Sequence, residues 1–147
     1  MRWLDMPPVW LAGFVGLSYW LRMPEAWETH GPGARILAVV LIGTGIALLA
    51  LSTLQFRNHK TTIIPHRQPN ALITHGVYRL SRNPIYLADV LILLGAILWL
   101  KAINALILVP IFMAVLEWRF IRPEEARLKA KFGAEFTDWA ARVRRWV

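Results

Sequence analysis

Apolar residues gather along this chain in four stretches, Pro8 to Met23, Ala34 to Phe56, Ile85 to Leu100 and Ile103 to Trp118. Continuous apolar runs of this length, without the two-residue alternation of a half-buried strand, predict helices that are apolar all round. The second stretch has the length of a membrane crossing. The third and fourth are 16 residues each, roughly 24 Å as helix against a hydrocarbon core of about 30 Å, and reach across with flanking residues. Joined as one helix, Ile85 to Trp118 would run to roughly 50 Å, too long for a single crossing. Lys101 and Asn104 interrupt that run, so a tight helical hairpin is predicted. The expected fold is all-α: a single integral membrane domain over residues 1–147 with about four transmembrane helices, near 8–23, 34–56, 85–100 and 103–118.

The remaining segment, 119–147, is expected to form amphipathic cytoplasmic helices. Pro123-Glu124-Glu125 is a helix-start pattern, and Gly133 is a natural stop. A second helix is predicted from about Glu135, with Phe136, Trp139, Ala140, Val143 and Trp146 at helical spacing. Its arginines Arg142, Arg144 and Arg145 are placed to reach lipid phosphates while it lies on the membrane surface.

Composition agrees with a membrane class: 56% of residues are hydrophobic, eight are Trp, and the net charge is +8. The distribution of charge gives an orientation. Arg57, Lys60, Arg67, Arg79 and Arg82 fall between the second and third stretches with no acid, and the tail from Arg119 holds eight basic residues against four acids. The segment Met23 to Arg35 holds Glu25, Glu28 and Arg35, and the third connection only Lys101. By the positive-inside rule both basic regions are cytoplasmic, and an even number of crossings puts both termini there. The expected setting is a bacterial inner membrane, with the first apolar stretch retained because it lacks a clear cleavage pattern. Membrane lipids, not nucleic acid, are the partners this pattern implies. There is no cysteine, so thiolate chemistry and Cys-based zinc sites are excluded. His30, His59, His66 and His75 lack metal-ligand spacing, and no metal is expected.

Candidate chemistry concentrates between Thr74 and Asp89. Asn83-Pro84 is a good N-cap and first-turn pair, and Arg79, Arg82, Tyr78 and Tyr86 would serve as ordinary interfacial anchors. Against that reading, Tyr78, Arg82 and Tyr86 are spaced by fours, which a helix would align on one face. Asp89 lies a turn inside an apolar stretch and needs a partner, for which Arg82 or Arg79 is the nearest basic candidate. Glu124 and Glu125 suit the first turn of a helix electrostatically, and one of them, or Glu117, is alternatively available to bind a cation or sugar hydroxyls. Gly43-Thr44-Gly45 reads as close helix packing. Walker loops, strand-linked GxGxxG and GxSxG elbows do not occur.

Taken in order, Thr61-Thr62-Ile63-Ile64-Pro65, His75-Gly76-Val77-Tyr78-Arg79, Arg82-Asn83-Pro84-Ile85-Tyr86, Glu124-Glu125-Ala126-Arg127-Leu128, Phe132-Gly133-Ala134-Glu135-Phe136, Trp139 and Val143-Arg144-Arg145 resemble the isoprenylcysteine carboxyl methyltransferase and phospholipid methyltransferase superfamily. The resemblance runs from about Thr61 to the C-terminus. It implies an S-adenosylmethionine-dependent methyltransferase whose lipophilic methyl acceptor enters sideways from the bilayer, most like isoprenylcysteine carboxyl O-methylation. By position, His75, Gly76, Tyr78, Asn83, Pro84, Glu124 and Glu125 would line the cofactor site, and Arg79, Arg82 and Tyr86 would act at the reaction. The chain departs from many members at Asn83, where they have His, and at Ala88, where they have Gly.

Methyl transfer from a sulfonium demands alignment and exclusion of water more than an enzyme nucleophile. A carboxylate acceptor needs a cation such as Arg79 or Arg82 to hold it, whereas an amine or thiol must lose a proton, to His75 or to a carboxylate. Phospholipid amines and small lipophilic thiols therefore stand beside prenylcysteine as acceptors. A non-catalytic module that binds anionic lipid or an acidic partner is the alternative of another class.

Overall fold

Proline opens several of the helices, where its missing N–H is no loss and its fixed φ suits the first turn. Pro7 and Pro8 begin α1 (Pro7–Leu21), α2 spans Pro32–Asn58, and Pro84 begins α3 (Pro84–Trp99). A 3₁₀ turn (Ile103–Ile107) leads into α4 (Leu108–Leu116), a π-helical turn (Glu117–Ile121) into α5 (Arg122–Phe132), and α6 covers Ala134–Arg142. The computed structural model describes residues 6–22, 31–58 and 71–147, and among these there is no strand. Thr61 to Pro65, Glu25, Glu28, Lys60, Arg67, His30, His59, His66, and Met23 at the edge of the first predicted span lie outside the described residues.

The centre of the molecule is α3. On one side it meets α2 at two glycines, one on each helix, with Ile92 and Ile42 packed over them. A Cβ on Gly45 would lie 2.9 Å from the Ala88 carbonyl oxygen, and one on Gly95 would lie 2.9 Å from that of Ala38. As α3 advances from Ala88 to Gly95, α2 retreats from Gly45 to Ala38, so the two helices are antiparallel with backbones nearly touching. Of the small residues noted in the sequence, Gly45 makes this contact, while Gly43 faces open space. On its other side α3 contributes Tyr86, Val90, Leu93 and Ile97 to a core with Leu108, Phe112 and Leu116 of α4 and Phe120 and Ile121 beyond it. Trp10, Leu11, Phe14 and Val15 of α1 close that core, with Phe14 against Phe112 at 4.9 Å between ring centres.

The interruption expected at Lys101 is a built turn. Lys101 takes φ 56, and the bonds Lys101 N–H to Leu98 O (3.2 Å) and Ala102 N–H to Ile97 O (3.0 Å) close the end of α3, the pattern usually completed by glycine. The break expected at Pro123 is different: helix runs without interruption from Ile103 to Phe132. Inside a helix, a proline ring collides with the carbonyl four residues back. The wide π turn immediately before Arg122 supplies the room, so the helix continues where the sequence pattern predicts a new start.

Among the described residues, two helical segments, Pro32–Asn58 and Ile103–Phe132, are long and apolar enough to cross a membrane. On α2, Ile36, Leu37, Val39, Val40, Ile46, Leu51 and Leu54 face outward. The C-terminal helix departs from expectation. Gly133, at φ 54, turns the chain between α5 and α6. Phe136 and Trp139 of α6 are then buried against Ile73 and Tyr78, with Phe56 packed beside them, so the apolar face of α6 covers protein instead of facing a membrane surface.

Candidate functional site

Residues 71–83 join these layers into a site. A 3₁₀ turn (Gly76–Arg79) puts Tyr78 into the small core beneath α6, with Phe56 edge-on to its ring at 5.9 Å. The end of the chain then folds back over the following residues. Arg82 N–H donates to Arg144 O (2.9 Å), and Ser81 Oγ and Asn83 Nδ2 both donate to Arg145 O (3.1 Å each). Ser81 Oγ also accepts the Asn83 N–H at 3.0 Å. Asn83 precedes α3 without capping it through its side chain. That side chain is used to hold the C-terminal segment.

Held in this way, Arg82 lies over α5 and α6. Its Nη2 is 3.2 Å from Glu125 Oε1, and its Nη1 reaches the Ala140 carbonyl at 3.4 Å. Arg145 grips the same Glu125 with two donors, at 2.6 and 3.2 Å, and reaches Glu117 Oε1 at 2.8 Å. Arg122 adds two donors to that Glu117 oxygen at 2.9 and 3.1 Å. Three arginines and two carboxylates thus form one network between the start of α3, the π turn and the tail. Bidentate, partly buried pairs of this kind are stronger than isolated surface ion pairs.

Next to the network is a cavity of about 340 Å³, within the usual size of a small-molecule site. Its apolar wall includes Met6 just before α1, Pro7 and Leu11 of α1, and Leu49 and Phe56 of α2, and its polar side is formed by Tyr78, Arg82, Asn83, Tyr86, Asp89 and Glu124. Tyr86 Oη donates to Glu124 Oε2 at 2.9 Å, and the Tyr86 ring stacks on Phe120. Burial raises the Tyr78 phenol above its ordinary value, and the charge of Glu124 pushes it further; a hydrogen bond with Ser52 pulls weakly the other way. Tyr78 is therefore a neutral donor at physiological pH. Asp89 is 3% exposed, and its Oδ2 has no hydrogen-bond partner.

Of the residues singled out in the sequence, Tyr78, Arg82, Asn83, Pro84, Tyr86 and Glu124 meet at this cavity. The means differs from the expected single helical face: Tyr78 sits in a 3₁₀ turn, Arg82 in the clamped connection, and Tyr86 in α3. Glu125 stands just behind, in the ion network. His75 and Arg79 are exposed at either end of the turn and do not line the cavity. Gly76 takes φ 62 and lies under the Gln55 side chain, so its role here is backbone shape. The predicted ion pair of Asp89 with Arg82 does not form, because Glu125 holds that arginine. Sequence reasoning gave Arg145 to lipid phosphates, whereas it binds Glu117 and Glu125. Its place in the closing Val143-Arg144-Arg145 motif was the available signal.

The phospholipid methyltransferase family matches the chain over residues 34–135. A probable protein-S-isoprenylcysteine O-methyltransferase from Oryza sativa subsp. indica is 34% identical over 130 residues, covering 83% of this chain and 62% of the relative. The protein-S-isoprenylcysteine O-methyltransferase A of Arabidopsis thaliana is 29% identical over 114 residues, covering 73% of this chain and 54% of the relative. The chain thus spans little more than half the length of these relatives. No solved structure matches it.

Proposed function

Since the chain belongs to the phospholipid methyltransferase family, we propose that it transfers a methyl group from S-adenosylmethionine to a lipophilic acceptor within a membrane. The observation that carries this reading is the meeting of Arg82 and Tyr86 with Glu124, from two separate motif segments, at one end of an otherwise apolar cavity. The donor set suits the cofactor: a sulfonium cation with ribose hydroxyls and an ammonium group finds carboxylate and phenol partners in Glu124, Tyr86 and Asp89, with Arg82 and Asn83 beside them. When bound, S-adenosylmethionine supplies a methyl group to an in-line displacement.

The chain's own residues hold and orient. Glu124, steadied by Tyr86, accepts donor hydroxyls. The clamp between residues 81–83 and 144–145 fixes the wall of the site, and the apolar residues of α1 and α2 keep water from the reacting atoms. Leu49 and Leu11 admit the acceptor's apolar body. In the membrane α1, α2, α3 and the helix from Ile103 make four crossings, with α3 and α4 as a hairpin and both termini cytoplasmic. The charge asymmetry of the connections supports that orientation.

The test is binding of S-adenosylmethionine to the detergent-purified protein, read as thermal stabilisation, followed by turnover of lipophilic acceptors with labelled methyl donor. A ligand at a hundredfold excess over its Kd stabilises by about 2.7 kcal/mol. Glu124→Ala is expected to lose that stabilisation. Unchanged affinity in both Glu124→Ala and Glu125→Ala would remove these carboxylates from the donor site.

A further inference from the structure

Glu117 stands in the π turn and is not among the residues that line the cavity. Its Oε1 nonetheless accepts from two arginines, Arg122 at 2.9 and 3.1 Å and Arg145 at 2.8 Å. In an ordinary helix of 3.6 residues per turn, side chains five positions apart point roughly 140° away from each other. Here the Arg122 N–H bonds to the Glu117 carbonyl across the wide turn, which brings positions 117 and 122 onto one side. The turn therefore does more than admit Pro123. It sets Glu117 toward the C-terminal segment, where Arg145 meets it.

From there the contacts run inward to the cavity. Arg145 holds Glu125 with two nitrogens, at 2.6 and 3.2 Å, and Glu125 holds Nη2 of Arg82 at 3.2 Å, while Nη1 of Arg82 reaches the Ala140 carbonyl at 3.4 Å. A guanidinium is a rigid plane, so fixing its two terminal nitrogens also fixes the third. That third nitrogen, Nε, is buried without a hydrogen-bond partner, on a residue that lines the cavity. Buried N–H groups are rarely left unpaired, and this one is held ready for an acceptor atom that the occupant brings. Resting on the methyltransferase reading above, we propose that Glu117 is a positioning residue for the S-adenosylmethionine site: through Arg145 and Glu125 it sets the direction in which Arg82 presents its Nε–H. Glu117 itself touches no ligand. Its effect must pass through Arg82 and disappear once Arg82 is changed.

The experiment uses the full chain in lipid nanodiscs. Affinity for S-adenosylhomocysteine is measured for wild type, Arg82→Lys, Glu117→Gln and the double variant, together with the unfolding midpoint of each without ligand. Arg82→Lys is expected to lose about tenfold or more in affinity, as befits a charged hydrogen bond, and Glu117→Gln about three- to tenfold. The double variant is expected to bind within about twofold of Arg82→Lys alone, because two residues that act through one another do not add. Glu117→Asp keeps the charge on a shorter arm and is expected to lie between wild type and Glu117→Gln; it takes the place of Glu117→Gln in the cycle if that variant does not fold. Losses that multiply in the double variant, a lowered midpoint in Glu117→Gln with wild-type affinity, or wild-type affinity in Arg82→Lys would overturn the proposal. If wild type shows no affinity for S-adenosylhomocysteine, the methyltransferase reading itself fails and takes this proposal with it, an outcome distinct from each of these.

Discussion

At the scale of single residues, the two arginines that look equivalent in the sequence have different surroundings. Arg82 spreads its planar head between the Glu125 carboxylate and the Ala140 carbonyl, whereas Arg79 is exposed. A lysine offers one compact charge and cannot span both acceptors. Arg82→Lys is therefore expected to lower methyl-transfer rate or donor affinity by about ten- to hundredfold, equivalent to roughly 1.5–3 kcal/mol for a charged hydrogen bond. Arg79→Lys should remain within about twofold of wild type. Rates measured on both variants at matched expression decide the point, and equal losses would show that the cavity geometry does not govern the role. The four-residue spacing of Tyr78, Arg82 and Tyr86 correctly marked them as companions, though for a reason that helical periodicity does not contain. The arginine's partner is 43 positions away (125 minus 82), and a pairing at that distance leaves no local pattern. Local proximity instead favoured Asp89, which the fold leaves to the cavity.

At the scale of elements, boundaries were the most legible feature. The apolar runs that begin at Pro8, Ala34 and Ile85 correspond to helices beginning at Pro7, Pro32 and Pro84, because proline and the onset of apolar residues are local signals. The π turn was illegible: Glu-Trp-Arg-Phe-Ile has no composition of its own, and the turn admits Pro123 into a helix that continues from Ile103 to Phe132. Helix contacts lie between these extremes. The Gly45 and Gly95 crossings can be suspected from small residues but assigned only when the partner backbone is known. Gly95→Val would drive its side chain into the Ala38 carbonyl and the Ile42 amide of α2, which stand 2.9 and 3.1 Å from the Cβ position. Neither neighbour is a flexible tip, so overpacking is expected to cost about 1–3 kcal/mol or more. The same change at Gly43, where nothing lies within 4 Å, should be close to neutral. Unfolding in mixed micelles compares the two, and similar midpoints would refute the close α2–α3 crossing.

The C-terminal segment shows how elements become one site. Its backbone receives Arg82, Ser81 and Asn83 at two successive carbonyls, and its Arg145 side chain binds the acids on the π turn and α5. Arg145→Ala would leave Glu117 with Arg122 and Glu125 with Arg82, each weakened, while preserving the backbone clamp. Removal of residues 144–147 deletes both. The expectation is therefore graded: Arg145→Ala lowers S-adenosylhomocysteine affinity by about tenfold, and the truncation abolishes measurable binding. If the truncated protein binds as wild type does, the clamp has no part in shaping the site.

At the scale of the whole molecule, the arrangement of apolar surface decides how it sits in its surroundings. The inner faces of α1, α3 and α4 make a conventional core, but α2 leaves Ile36, Leu37, Val39, Val40 and Ile46 exposed. Such an area needs apolar cover, and lipid supplies it if α2 crosses the bilayer. The polar end of the cavity, the arginine–glutamate network and α6 all gather where α2 ends and α3 begins, the end that the proposed topology puts on the cytoplasmic side. Lys101 and Asn104 lie past the far end of α3, roughly 24 Å along its 16 residues. The chain contains no cysteine, so single cysteines report position without background. Asn104→Cys and Thr137→Cys are both at exposed positions on the two opposite ends. An impermeant thiol reagent added to intact cells is expected to label Asn104→Cys and to reach Thr137→Cys only after the membrane is opened. Labelling of Thr137→Cys in intact cells would invert or abolish the proposed orientation, and with it the placement of the donor site on the cytoplasmic side, where a soluble methyl donor is supplied.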